Sequence, residues 1–239
     1  MEAPVPFALK SPICVALDTP DLGRARSLLR EVRDSVGLVK IGMELFYAHG
    51  AGGYAAVAAE GVPLFLDLKL HDIPNTVAAA LKSLLRLSPP PAIIDVHATG
   101  GGPMMQAAAE AVAGRSRLVA VTVLTSLADA DLTAAGFDPG MTAPGLAESL
   151  ARLSKSCGLD GVVCSPHDVA NIRAACGPDF LTIVPGIRPP ASEAADQKRI
   201  ATPGEARRAG ADILVIGRPI TAASAPGQAA RDILASLEE

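Results

Sequence analysis

The sequence predicts a single (β/α)8 barrel (TIM barrel), a closed ring of eight parallel strands surrounded by helices. Three observations predict it: eight short apolar segments recur, amphipathic stretches separate them, and 239 residues suit one such barrel. No linker or internal repeat divides the chain, so we expect one domain over residues 1–239. A doubly wound open sheet shows the same alternation and is the competing fold.

The predicted strands are runs of apolar, largely branched residues bounded by polar residues, glycine or proline. In chain order they cover residues 13–17, 38–41, 63–66, 92–96, 118–124, 161–164, 181–184 and 213–216. The Ser-Pro-Pro-Pro stretch at 88–91 is short and comes just before a strand, which indicates a helix-to-strand connection.

Helical periodicity is clearest over residues 21–34, where one face collects Leu22, Ala25, Leu28, Leu29 and Val32. Hydroxyl–proline pairs predict helix starts at Thr19-Pro20, Ser165-Pro166 and Thr202-Pro203. For the third of these helices, Glu205 predicts a capping box and Gly210 a C-terminal cap. Segments 125–144 and 185–200 are too long for minimal connections, and both follow strands, on the face where barrels place active sites.

Composition excludes several classes of function. The net charge of −4 and the absence of a long basic run disfavour a general nucleic-acid surface, although a few cations suffice for an anionic substrate. Aromatic residues make up only 3% and tryptophan is absent, which disfavours a base-stacking platform.

Location is predicted from cysteine usage and hydropathy. Cys14, Cys157, Cys164 and Cys176 lack C-x-x-C spacing and indicate buried thiols in a reducing cytoplasm. No apolar run is long enough to span a membrane, and residues 1–6 do not resemble an export signal, so we expect a cytoplasmic protein with no membrane association.

The stretch 67–76 carries two acids and a lysine directly after the third strand. Alternation along a strand puts Asp67 and Lys69 on one side and the intervening leucines on the other, while Asp72 lies beyond, near a turn at Pro74-Asn75. The alternative is a solvated strand end with an ordinary ion pair, but such a pair needs only one acid and one base.

Polar residues also follow the other strands, and a barrel collects the carboxyl ends of its strands at one mouth. The candidates there are Asp18, Lys40, His97, Thr125, Ser126, Arg188, Gly217 and Arg218. Arg188 and Gly217-Arg218 follow strands seven and eight, a frequent phosphate site in barrels, although a solvated arginine pair is the alternative. His97 either lines the mouth or is a hydrogen-bonded structural histidine, and no grouping has metal-ligand spacing.

Several motifs together resemble the orotidine 5'-phosphate decarboxylase family over nearly the whole chain. They are Ala16-Leu17-Asp18, Val39-Lys40-Ile41-Gly42, Asp67 to Thr76, Val123 to Ser126, Pro185 to Arg188, Asp196-Gln197 and Ile216 to Pro219. Residues 158–165 resemble the bacterial branch. The D-x-K-x-x-D core is shared with a wider barrel superfamily, whereas the Asp72 to Thr76 segment and the Arg188 and Gln197 loop are specific to the decarboxylase.

The resemblance implies decarboxylation of orotidine 5'-phosphate to uridine 5'-phosphate in de novo pyrimidine synthesis, without metal or organic cofactor. It implies that Lys69 protonates C6 of the pyrimidine, that Asp67 lies beside the departing carboxylate, and that Lys40 and Asp72 complete a Lys-Asp-Lys-Asp array. It further assigns the ribose hydroxyls to Asp18 and Lys40, the base to Thr125, and the phosphate to Arg188, Gln197, Gly217 and Arg218.

The resemblance also implies a homodimer in which Asp72, Ile73 and Thr76 enter the partner's site. Two alternatives stay open. One is a sister barrel enzyme that uses the same core with a magnesium ion on a sugar phosphate, such as a keto-gulonate-phosphate decarboxylase or a hexulose-phosphate synthase. The other is a non-catalytic nucleotide-binding barrel, which gives no reason to bury Asp67, Lys69 and Asp72 together.

Overall fold

The computed structural model describes residues 9–189 and 199–237, and its sheet is a closed barrel of eight parallel strands in chain order. The strands are β1 (Ile13–Ala16), β2 (Leu38–Gly42), β3 (Leu64–Leu70), β4 (Ile93–His97), β5 (Arg117–Val121), β6 (Gly161–Val163), β7 (Leu181–Val184) and β8 (Ile213–Ile216). Strand β1 pairs with both β2 and β8, which closes the ring. The predicted barrel is thereby confirmed and the open sheet is excluded.

Helices follow the strands and pack on the outside of the barrel. They are α1 (Leu22–Val32), α2 (Met43–Ala58), α3 (Pro74–Leu84), α4 (Gly102–Val112), α5 (Asp129–Ala134), α6 (Ala143–Ser156), α7 (Val169–Cys176), α8 (Pro203–Arg208), α9 (Arg218–Thr221) and α10 (Pro226–Ala235). Single 3-10 turns lie at Ala98–Gly100 and Pro166–Asp168. Within the described residues, no helix combines the length and apolar character needed to cross a bilayer.

Alternation along the strands produces two apolar regions. Inward-facing side chains fill the barrel below its mouth, among them Cys14, Leu38, Phe65, Ile93, Val119 and Ile213. Outward-facing side chains pack under the helices; in α1, for example, Ala25, Leu28, Leu29 and Val32 are buried, as predicted. All four cysteines are buried and free, again as predicted.

Two strand ends differ from the prediction by more than one residue. Strand β3 continues to Leu70, so Asp67 and Lys69 lie inside it and not after it. Strand β5 ends at Val121, three residues before the predicted end at Leu124. An apolar run in the sequence indicates buried residues, whereas the end of a strand depends on backbone hydrogen bonds to the neighbouring strand. The apolar pattern therefore misplaces both ends.

Two of the three predicted helix caps are confirmed. Ser165 caps the turn Pro166–Asp168, and Thr202 forms a capping box with Glu205 at α8. Thr19 does not cap α1; Asp21 does, accepting a hydrogen bond from the Arg24 amide at 3.0 Å. Gly210, at φ 101°, follows the end of α8 as predicted.

The two long segments are described to different extents. Segment 125–144 contains the short helix α5. Of segment 185–200, residues 190–198 lie outside the described residues. The described part returns to the barrel through a bridge between Ile187 and Ala201.

Candidate active site

A cavity of about 590 Å³ opens at the carboxyl ends of the strands. Strands β1, β2, β3 and β5 to β8, or the loops that follow them, all contribute to its lining. Nine residues predicted from the sequence lie together in its wall: Asp18, Lys40, Asp67, Lys69, Thr125, Ser126, Arg188, Gly217 and Arg218. The barrel therefore brings these side chains from distant parts of the chain to one place.

Lys40 lies at the centre of the charged floor of this cavity. Its ammonium Nζ is 3.1 Å from an oxygen of Asp18 and 3.1 Å from an oxygen of Asp67. Burial alone lowers the pKa of Lys40, but the charges of Asp67 and Asp18 outweigh burial and leave the pKa raised. Lys40 is thus a fixed cation with two acidic partners.

Asp67 lies between two lysines. Its second oxygen contacts Lys69 Nζ, and its side chain is only 10% exposed. Burial by itself raises the pKa of Asp67, yet Lys40 and Lys69 hold that pKa well below its usual range. Asp67 is therefore ionised, and it fixes the position of both ammonium groups.

Lys69 has an unusual backbone for a non-glycine residue, with φ at 51°. The pairing of β3 with β4 is irregular here, because Leu66 pairs with Ile94 and the next pair is Leu70 with Val96. The Lys69 side chain enters the cavity and is 28% exposed, so its ammonium group is accessible to a bound molecule.

Asp95 is a polar residue of this region that the sequence analysis missed. It lies in β4, is completely buried, and accepts hydrogen bonds from the backbone amides of Leu68 and Lys69. The available signal was an acid within the apolar run Ile93-Ile94-Asp95-Val96, since an acid there is buried on a strand and needs a partner.

The opposite side of the cavity carries two arginines. Arg188 follows β7 and is 9% exposed, and Arg218 follows β8 at the start of α9. Gly186, at φ 77°, and Gly217 line the same side. The site thus separates a mixed Lys/Asp group from a cationic end, which suits a substrate that carries a phosphate. Gln197, predicted at this end, lies outside the described residues.

Asp72, Ile73 and Thr76 are not in the wall of this cavity. All three are exposed, and the Asp72 carboxylate accepts a hydrogen bond from the Ile73 amide at 2.6 Å. Within one chain the charged array therefore comprises Lys40, Asp67 and Lys69, and Asp72 lies apart from it.

His97 is not among the cavity-lining residues either. Its ring stacks on His71 with centroids 5.5 Å apart, and its Nδ1 lies 2.7 Å from the Thr99 hydroxyl. Burial, then the charges of His71 and Lys69, lower the pKa of His97. These contacts correspond to the structural alternative for His97.

The side chains of the described segments, 9–189 and 199–237, include no group of three or more histidines, cysteines and acids placed to hold a metal ion. The charged groups present are instead paired with one another as cations and anions. What this arrangement can do is hold an anionic ligand and present a fixed ammonium group to it.

Comparison with known proteins relates the chain to one family. Residues 11–233 match the model of the "Orotidine 5'-phosphate decarboxylase / HUMPS family". An orotidine 5'-phosphate decarboxylase of Paramagnetospirillum magneticum is 49% identical over 235 residues, which are 95% of this chain and 98% of the relative. One from Erythrobacter litoralis is 48% identical and covers 96% and 100%. The crystal structure of orotidine 5'-phosphate decarboxylase from Lactobacillus acidophilus superposes with a TM-score of 0.82 at 36% identity, covering 96% of this chain and 100% of that one.

Proposed function

The chain belongs to the orotidine 5'-phosphate decarboxylase / HUMPS family, and from this premise we propose that it converts orotidine 5'-phosphate to uridine 5'-phosphate and carbon dioxide in de novo pyrimidine synthesis. The observation that carries the proposal is the Lys40–Asp67–Lys69 array facing the two arginines across one cavity. The reaction uses no metal or organic cofactor and takes place in the cytoplasm, a location that four buried free thiols support.

The difficult step of the reaction is the formation of a carbanion at C6 of the pyrimidine. When the bond from C6 to the carboxyl carbon breaks, its electron pair remains on C6, where no adjacent carbonyl delocalises it. A fixed cation next to C6 lowers the energy of that charge, and the accessible ammonium of Lys69 is the group suited to this task. A proton then moves from Lys69 Nζ to C6, and Lys69 regains a proton from solvent.

Asp67 has two roles in this proposal. It orients Lys69 through their ion pair, and it places a negative charge beside the substrate carboxylate that departs. Lys40 completes the array by holding Asp67 ionised from the other side at 3.1 Å. The array thus comprises fixed charges that need no reorganisation during the reaction.

The remaining cavity residues bind and orient the nucleotide. Asp18 and Lys40 contact the ribose hydroxyls, and Thr125 contacts the pyrimidine. The phosphate is held by Arg188, Gln197, Gly217 and Arg218. Binding energy from the distant phosphate contributes to barrier lowering, because it orders the substrate against Lys69.

A homodimer completes the site in this proposal, with Asp72, Ile73 and Thr76 of each chain entering the partner's cavity. The support is that Ile73 is a large apolar residue with 67% exposure, at the carboxyl end of β3. Met43 and Tyr47 follow the neighbouring strand β2 and are 45% and 71% exposed. Exposed apolar side chains at one part of the mouth favour a protein–protein contact there.

A second candidate is a metal-dependent sugar-phosphate enzyme, since the matching family model covers both decarboxylases and HUMPS proteins. The relatives at 48–49% identity are named orotidine 5'-phosphate decarboxylase, which favours the first candidate. The two differ in metal dependence, so one assay separates them.

The deciding experiment follows the loss of pyrimidine absorbance from orotidine 5'-phosphate in excess chelator. We expect rapid turnover by the wild type and a loss of about 1,000-fold or more in Lys69→Ala, because both the cation and the proton donor are gone. Lys82→Ala is the control, since it removes an exposed lysine at the far end of α3.

Activity of Lys69→Ala within about tenfold of wild type would contradict the role of Lys69. A folded wild-type protein that is inactive in chelator, and that acts on a sugar phosphate when magnesium is supplied, would favour the second candidate.

A further inference from the structure

Asp95 lies on β4 beside Asp67 of the charged array. It is completely buried, and it lies two residues after Ile93, whose side chain faces the barrel interior. One oxygen, Oδ1, accepts hydrogen bonds from the amide of Leu68 at 2.9 Å and from the amide of Lys69 at 2.8 Å. The mechanism given above does not use this residue.

These two amides need a side-chain acceptor because β3 bulges away from β4. From Leu66 to Leu70 the chain advances four residues, while its partner advances only two, from Ile94 to Val96. The extra residues lose regular backbone pairing on this side. Oδ1 of Asp95 therefore replaces the missing acceptor and holds Lys69 at φ 51°.

The second oxygen of Asp95 is the unusual one. Oδ2 is fully buried and meets no hydrogen-bond donor in the described part of the chain. Its side-chain neighbour is the carboxyl of Asp67, which is itself paired with Lys40 and Lys69. Two adjacent buried carboxyls do not both stay ionised, since like charges at short range in a buried site repel strongly.

Of the two neighbouring carboxyls, Asp95 is the one that carries the proton and Asp67 is the one that is ionised. Burial, followed by the charge of Asp67, raises the pKa of Asp95 well above its usual range, whereas the two lysines lower the pKa of Asp67. The charged groups that face Asp95 are Asp67 and Lys69 of β3, and on β5 its paired residue is Val119. Lys69 lowers the pKa of Asp95, but burial and the charge of Asp67 outweigh it.

We propose that Asp95 is a positioning residue, a neutral carboxylic acid that fixes the Lys69 backbone through Oδ1 and donates a hydrogen bond from Oδ2 to Asp67. This role for Asp95 rests on the proposed function, because it concerns how the catalytic lysine and its acidic partner are held. Asp95 does not touch the substrate; it acts through the two residues that do.

The test compares Asp95→Asn with Asp95→Leu. Asparagine keeps a carbonyl acceptor and supplies an N–H donor in place of the O–H. We therefore expect the kcat of Asp95→Asn to stay within about threefold of wild type. Leucine has a similar size but no polar atom. We expect kcat to fall about 100-fold or more, while the dissociation constant of uridine 5'-phosphate changes less than about threefold.

A kcat of Asp95→Leu near that of wild type overturns the proposal, and so does an equal loss in both variants.

Infrared spectroscopy in D2O is independent of turnover. A protonated-carboxyl band is expected in wild type and absent from Asp95→Asn; no such band, or a band that persists in the variant, overturns the proposal. The infrared result and Asp95→Asn remain decisive if Asp95→Leu does not fold. Failure of wild-type turnover with the band present would contradict the proposed function alone.

Discussion

A lysine with left-handed backbone geometry is costly, by about 1 kcal/mol or more, because its Cβ approaches the following carbonyl. Lys69 adopts this geometry at φ 51°. The cost is offset by the Asp95 hydrogen bond to its amide and by the ion pair of its side chain with Asp67. Strain is thus located at the residue that we propose as the proton donor.

The floor of the cavity is close to charge balance. Lys40 and Lys69 face Asp18 and Asp67, so two cations meet two anions. An incoming phosphate meets two further cations, Arg188 and Arg218, which line another part of the cavity wall. This separation predicts different kinetic consequences for the two groups.

Arg218→Ala is expected mainly to weaken binding of the nucleotide. A charge-assisted contact to phosphate contributes about 1.5–3 kcal/mol, so KM should rise roughly tenfold to 100-fold, with a smaller change in kcat. Steady-state kinetics with orotidine 5'-phosphate measures both. Arg86→Ala is the matched control, because Arg86 is an exposed arginine just after α3, at the other end of the barrel. An unchanged KM in Arg218→Ala would show that the phosphate site is misplaced.

At the scale of elements, one half-buried arginine connects three parts of the mouth. Arg199 is the first described residue after the gap at 190–198, and its guanidinium contacts both oxygens of Asp168, at 3.1 and 2.9 Å. The same side chain donates to the carbonyls of Val123 and Leu124, which follow β5. It therefore holds the returning loop of β7 against the loops after β5 and β6.

Arg199→Met should destabilise the fold by about 3 kcal/mol or more, because it leaves the carboxylate of Asp168 buried without its cation. The side chains of this pair are 12% and 1% exposed. Chemical denaturation monitored by circular dichroism gives the free energy of unfolding.

The matched control for this prediction is Arg152→Met. It removes an exposed pair with Glu148 on one helix, where the side chains are 58% and 35% exposed, and a loss below about 1 kcal/mol is expected. Equal losses in the two variants would mean that the buried pair does not hold the loops together.

The sequence predicts the centres of the elements better than their ends. Hydrophobic runs locate all eight strands because a parallel strand in a barrel is buried on both faces. The end of β5 is different: Val123 is buried although it lies beyond the strand. Asp67 and Lys69 belong to β3 although they are charged, because an open cavity lies inside the barrel mouth.

At the scale of the molecule, the candidate site was predictable because the fold itself assembles it. Once a barrel is predicted, polar residues after each strand must meet at one end. Asp95 was not predictable in the same way, since its role depends on a register shift between β3 and β4 that no periodicity reveals. The place of Asp72 is also decided by loop geometry, which directs it away from its own cavity.

At this scale the proposed mechanism also involves the dimer, because the partner chain contributes a residue to each site. If Asp72 acts in the partner's site, each site combines Lys69 of one chain with Asp72 of the other. A chain lacking Lys69 and a chain lacking Asp72 then complement each other, because their heterodimer contains one site with both residues intact.

Mixing unfolded Lys69→Ala and Asp72→Ala chains in equal amounts and refolding them should therefore restore about a quarter of wild-type activity, since half of the dimers are mixed and each has one intact site. Each variant refolded alone stays nearly inactive. The control mixture is Lys69→Ala with Asp67→Ala; these residues contact each other within one chain, so no mixed site is intact. If the first mixture recovers no more activity than this control, although size-exclusion chromatography shows dimers, Asp72 does not act across the interface.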